Sequence, residues 1–197
     1  MAVSGIVWLA IAAVVLVAGI VIFNRLTRLR NAVANAFAQI DVQLKRRYDL
    51  IPNLVETARK YLQHERETLE AVVQARSQAQ AAAGHARVDP SGAAPVAALG
   101  AAEAALGTAL GRLMVVVEAY PELKADAQLR QFAEDLSSTE NRIGFARQAY
   151  NDEVLAFNDA VLQFPASLVA RLFAFTPAAP LQSTQSAAER GVPVVRF

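Results

Sequence analysis

The chain has 197 residues, 54% of them apolar and 19% charged, with a net charge of +1 and no cysteine. That balance, with no basic patch interleaved with aromatics, excludes an electrostatic nucleic-acid binder. The missing cysteines exclude disulfides, thiol catalysis and Cys-based zinc or iron–sulfur sites.

The first segment differs from the rest. Ala2 to Phe23 contains no charged residue, and as a helix such a run reaches about 30 Å, the thickness of a bilayer core. No Lys or Arg precedes it, whereas Arg25, Arg28 and Arg30 follow it. A cleavable signal has its basic residues on the other side. Residues 1–23 therefore read as an uncleaved single-pass transmembrane anchor. The positive-inside rule puts the N-terminus outside and the body in the cytoplasm, with the opposite orientation as the alternative. No small residue in the run has a small partner four residues on, and Ser4 is its single polar side chain. It is an anchor, not a tight dimer seam or an ion path.

Beyond the anchor, Leu26, Leu29, Val33, Phe37, Ile40, Leu44, Tyr48 and Ile51 follow in steps of 3, 4, 4, 3, 4, 4 and 3. This spacing matches a straight helix without imposed supercoil. One helix is expected from the membrane to about Ile51, standing the body off the bilayer like a mast. Pro52 then falls inside the apolar pattern. It has no N–H for the carbonyl of Tyr48 and crowds that carbonyl. The stripe resumes with Leu54, Val55, Ala58, Leu62, Leu69, Val72 and Val73, which favours a kinked continuation over a new helix starting at Pro52. This helix should fade near Ala83.

Gly84 to Pro95 clusters Gly, Pro, Ser and Asp and reads as a loop. The next helix runs from about Pro95 to Ala119, with Gly107 and Gly111 suggesting close helix packing. Tyr120-Pro121 ends it. The last long helix starts at Glu122 or Asp126 and runs to Gln163, where Pro165 stops it. An amphipathic turn over Ser167–Phe173 follows. From Thr176 the period is lost, and residues 176–197 read as a disordered or loosely docked tail. The fold class is thus all-α: an N-terminal transmembrane helix continuing into an elongated antiparallel bundle over residues 24–175.

Chemistry is sparse. His64-Glu65 lacks the second His of a zinc-protease helix, and there is no glycine-rich phosphate loop. Glu103, Glu118, Glu140 and Glu153 lack the His three residues later that two-metal bundles use. No catalytic residue, cofactor or metal is assigned. The unusual polar residues are Arg76 and then Glu140, Arg142, Arg147, Tyr150, Asn151 and Asn158, all amid strong apolar positions. They read as a buried ion-pair and amide network that fixes helix register, or as a docking face. Arg47, Asp49, Asn53 and Glu56 around Pro52 are expected to hold its geometry by pairing.

Arg47-Tyr48-Asp49-Leu50-Ile51-Pro52-Asn53-Leu54-Val55 is very similar to the signature of the LemA family. Asn24, Gln43-Leu44-Lys45-Arg46, Ala75-Arg76 and Thr139-Glu140-Asn141-Arg142-Ile143 match it too, as do Ala146-Arg147, Tyr150-Asn151, Val154, Phe157-Asn158 and Phe164-Pro165. The resemblance covers the chain from the span to about Phe175. The linker Gly84–Pro95 and the tail from Thr176 depart from it. It implies a bacterial inner-membrane protein with one N-terminal span and an antiparallel helical body, without a transferable catalytic residue. Relatives are linked to magnetosome membranes and to a membrane-bound heat-shock protease. The expected role is a non-enzymatic scaffold or adaptor in contact with the lipid bilayer. It would form homo-oligomers or bind a membrane protein such as that protease. The alternative is a membrane-shaping or envelope-stress protein.

Overall fold

An apolar side chain at every third or fourth position, with no breaker before Pro52, builds one helix, α1, over Ala2–Arg59. The computed structural model describes residues 2–62 and 64–182, with side chains from Gly5. After α1 come α2 (Arg66–Val88), α3 (Ala93–Ala119), a short α4 (Pro121–Ala125), α5 (Ala127–Leu162) and α6 (Ala166–Leu172). No strand occurs among the described residues.

The first part of α1 is bare. Its most apolar 18-residue window has a mean hydropathy of 3.1 and no buried residue, so it has the length and composition to cross a bilayer. The body begins where the span ends. Leu26, Val33, Phe37, Ile40, Leu44, Tyr48 and Ile51 are all buried in one continuous core, which places the straight-helix stripe on the inside.

Side-chain bonds fix the topology. Arg76 reaches Tyr48 and Arg87 reaches Asp41, so α2 runs back along α1. Tyr120 and Glu65 meet at the far end, as do Tyr61 and Asp126, so α3 runs outward again and α5 starts at the tip. Asp126 caps α5 by accepting from the backbone N–H groups of Gln128 (2.8 Å) and Leu129 (3.0 Å). Those bonds hold its carboxyl below the ordinary value, with the Tyr61 hydroxyl adding to them. Helix α5 then returns along the whole body, pairing Tyr150 with Phe37 (5.9 Å between ring centroids). It is the principal neighbour of α1, while α2 and α3 form a hairpin over the distal half.

Three expectations change. The helix does continue through Pro52, but the chain reverses at Lys60–Glu65. Leu62 and Leu69 keep helical spacing across that bend and both stay buried, so the periodicity carried no trace of it. Helix α2 does not fade at Ala83 but runs through Gly84 and His85 to Val88, and the connection to α3 is only Asp89–Gly92. Gly107 and Gly111 pack against nothing: a Cβ on either would meet open space. Helix α3 is apolar enough to pass for a second span. Yet its Val96, Leu99, Leu106 and Leu113 lie in the body's core, with the carboxylate of Glu103 buried beside them.

Candidate functional site: a braced proline, a buried ion cluster and a clamped C-terminal segment

The missing N–H of Pro52 leaves the Tyr48 carbonyl without its helical donor. The structure supplies another: Arg76 Nε on α2 donates to the Tyr48 carbonyl at 2.6 Å. Pro52 itself faces solvent, as do Asp49, Asn53 and Glu56. The expected pairing around the proline is therefore different. Asp49 meets Lys45 one turn earlier on the surface (2.6 Å). Asn53 and Glu56 take no side-chain hydrogen bond among the described residues, and Glu56 joins Pro52, Val55 and Val73 in lining an open groove between α1 and α2. The brace comes from the neighbouring helix.

Arg47 points the other way, into the bundle. It is 4% exposed and forms ion pairs with Glu103 of α3 and Glu140 of α5. The Tyr48 hydroxyl donates to Glu103 as well. Burial pushes the Tyr48 phenol up to about 12, so it stays a donor at any ordinary pH. Arg147 lies half-buried next to this group, and desolvation lowers its pKa, with the carboxylate of Glu140 acting in the opposite sense. Arg47, Glu103, Glu140 and Arg147 line a cavity of about 40 Å³ closed by Ile40, Leu44, Ile143 and Leu181. The buried guanidinium of Arg47 is thus met by one buried carboxylate, Glu103, and by one half-exposed carboxylate, Glu140. The cluster ties α1, α3 and α5 together at one level. From the sequence Glu103 is weighed only as a two-metal ligand and set aside, although its position four after Leu99 and three before Leu106 puts it on the buried stripe. Arg142 stays at the surface.

Tyr150, Asn151 and Asn158 have a third task. Helix α6 ends with Ala174 in the left-handed region (φ 54°). The N–H of Phe175 bonds the carbonyl of Ala170 (2.9 Å), and that of Ala174 the carbonyl of Arg171 (3.4 Å). This pair of bonds reverses the chain. Residues after it run back along α5 outside any helix, and Ala178–Leu181 cover the two helical turns from Asn158 to Asn151, a distance three residues reach only when extended. Asn158 donates to the carbonyl of Ala178 (2.9 Å) and accepts from its N–H (2.7 Å). Asn151 treats Leu181 the same way, at 3.1 and 2.9 Å. Seven residues separate the two amides, two helical turns on one face. Each presents the donor and acceptor that a neighbouring strand would. The Tyr150 hydroxyl lies 2.8 Å from the Pro90 carbonyl and 2.7 Å from that of Ala179, and Ala179 N–H donates to Ser91 (3.0 Å). Burial pushes the Tyr150 phenol up to about 12. The stretch expected to open a disordered or loosely docked tail is thus, as far as Gln182, an extended strap with Ala178 and Leu181 buried. Residues 183–197 lie outside those described.

At the near end, Phe175 packs edge-on against Phe157 and Phe23, with the Arg30 guanidinium 5.2 Å above its ring. Arg25 and Arg28 are exposed beside it. Pro165 joins α5 to α6 through a cis peptide bond. No group of His, Asp or Glu side chains capable of holding a metal occurs among the described residues.

A family model described as the LemA family matches residues 36–197. The chain belongs to the LemA family. The match begins inside α1 and takes in both the α2–α3 connection and the tail, the two segments whose sequences depart from the signature. The protein named LemA from Metamycoplasma hominis is 28% identical over 148 residues, 75% of this chain and 63% of that protein. The magnetosome protein MamQ of Magnetospirillum gryphiswaldense is 32% identical over 78 residues, 40% of this chain and 29% of its own. Magnetosome protein MamQ 2 of Paramagnetospirillum magneticum is 33% identical over a stretch of the same length. The LemA-family chain thus spans 29% to 63% of the length of these relatives.

Proposed function

We propose that this LemA-family protein is a non-enzymatic, membrane-anchored scaffold or adaptor. It self-associates or holds another membrane protein, a quality-control protease being the partner class tested first. The observation that carries this reading is α1: 58 residues of unbroken helix whose first part is bare and apolar and whose remainder is the core of the body. A catalytic domain on a flexible tether has no use for such a rod, whereas a body held at fixed height and angle does. At its centre the buried Arg47 is taken up by ion pairs with Glu103 and Glu140. The exposed Arg25, Arg28 and Arg30 support an orientation with the body in the cytoplasm, which a C-terminal reporter enzyme active on one side only would test.

The assembly reading is tested by crosslinking the protein in native membranes and by affinity capture from the solubilised membrane fraction. Crosslinked multimers of a defined size, or a stoichiometric membrane-protein partner, support it. Monomers alone, with nothing captured, sink it. A second reading, in which the protein shapes the bilayer or serves envelope stress, is favoured by the basic cluster at the end of the span, each charge of which adds about 1 kcal/mol of attraction to an anionic leaflet.

A further inference from the structure

Helices α5 and α6 meet at an elbow that carries a concentration of bare apolar side chains. Leu162 is 69% exposed, Phe164 80%, Leu168 59%, Leu172 78% and Phe173 54%. Between Leu162 and Phe175 the only charge is that of Arg171, and no carboxylate occurs. The other side of the same elbow is seated: Ala170 and Phe175 are buried, and Val169 packs against the core. A body surface facing water does not ordinarily keep five large apolar side chains together in this way.

Its height on the molecule identifies what covers it. Phe173 packs edge-on against Phe23 at 4.8 Å between centroids. Phe23 is the last apolar residue before Arg25, the level at which a span of this length leaves the hydrocarbon. Arg25 and Arg28 are exposed within about two turns beyond it, at headgroup height. Apolar and aromatic groups at the acyl boundary with basic groups just outside it form the pattern of an interfacial segment.

We propose that the α5–α6 elbow is a second, non-spanning membrane contact. Leu162, Phe164, Leu168, Leu172 and Phe173 dip about 5–10 Å into the headgroup–acyl boundary. The bilayer is the one that α1 crosses, and Arg171, Arg25 and Arg28 lie among the headgroup phosphates. The proposal rests on the reading of α1 as a span. Two contacts on different elements fix the tilt of the body, which a single helix through a fluid bilayer does not.

The full chain is reconstituted in vesicles of mixed zwitterionic and anionic phospholipid carrying nitroxide-labelled lipids. Trp8 is the single tryptophan, so the unaltered protein reports on the span. In a Trp8→Phe background, Phe164→Trp and Leu172→Trp report on the elbow, and Phe145→Trp reports on an exposed site midway along α5. Both elbow tryptophans are expected to emit at shorter wavelength than in water and to lose intensity chiefly to a nitroxide high on the acyl chain. Phe145→Trp is expected to do neither. Elbow tryptophans that emit as in water, while Trp8 is quenched, overturn the elbow contact and leave the span standing. An unquenched Trp8 overturns both. A blue shift without lipid quenching means that a second copy covers the elbow, and overturns the proposal. Equal quenching of Phe145→Trp means that the body lies flat on the bilayer, and overturns it too.

Discussion

The Tyr48 carbonyl shows how one residue's defect is repaired by a residue far away in sequence. Pro52 removes the donor, and Arg76 supplies one across the α1–α2 interface. Replacing Arg76 with Met should destabilise the body by about 1–3 kcal/mol, the cost of an unsatisfied buried acceptor. In a Pro52→Ala background the helix regains its own donor, so the same change should cost clearly less. A double-mutant cycle on denaturant midpoints measures this coupling, and additive losses would refute it. That Pro52 mattered was legible in the sequence. Its partner was not, because the brace depends on a chain reversal that no Gly or Pro announces. Glu103 is the converse case, a carboxylate legible as buried from its place on the stripe. Glu103→Gln leaves the Arg47 guanidinium with the half-exposed Glu140 as its counter-charge and should cost about 1.5–3 kcal/mol. Replacing both with Met should cost less than that single change, and thermal unfolding of the two variants decides the matter.

Among the elements, the helices were readable because their apolar periods are long and nearly uninterrupted. The strap was not. Extended backbone clamped by two amides has no period of its own, and the signal lay instead in Asn151 and Asn158, polar residues recurring seven apart on a buried face. Each amide makes two hydrogen bonds to the strap. Asn158→Leu should therefore speed hydrogen exchange at Ala178 by about tenfold or more, the equivalent of losing bonds worth 1–1.5 kcal/mol each. Exchange within α2 should stay unchanged. If Ala178 remains as protected as before, the clamp is not what holds the strap.

On the scale of the whole molecule, the body is one core threaded by α1 and α5, and its stability should fall in alkali. Tyr48 and Tyr150 are both held near 12 by burial, against an ordinary value of 10.0. Their neutral forms are favoured in the folded state, so the stabilisation is complete below pH 10 and drains away as the pH climbs toward 12. Denaturation midpoints measured across that window should decline. Tyr150→Phe should begin lower, through its lost hydrogen bonds, and then decline less steeply. Parallel curves would show that Tyr150 ionisation is not linked to unfolding.

The unbroken run of α1 through the end of the span has a further consequence, one of phase. Each residue of a helix advances the chain by about 1.5 Å and turns it by about 100°. A single alanine added between Ala18 and Ile20 would leave span and body each intact, yet turn one against the other by that angle. Seven would bring them back to within about 20°. A lone molecule in fluid lipid senses the accompanying rise of about 1.5 Å per residue, through the elbow, but not the turn. Only a neighbour that grips the span and the body at the same time senses the turn, so the compass bearing of the body, read through insertions of graded length, separates a molecule that works alone from one set in a lattice of contacts.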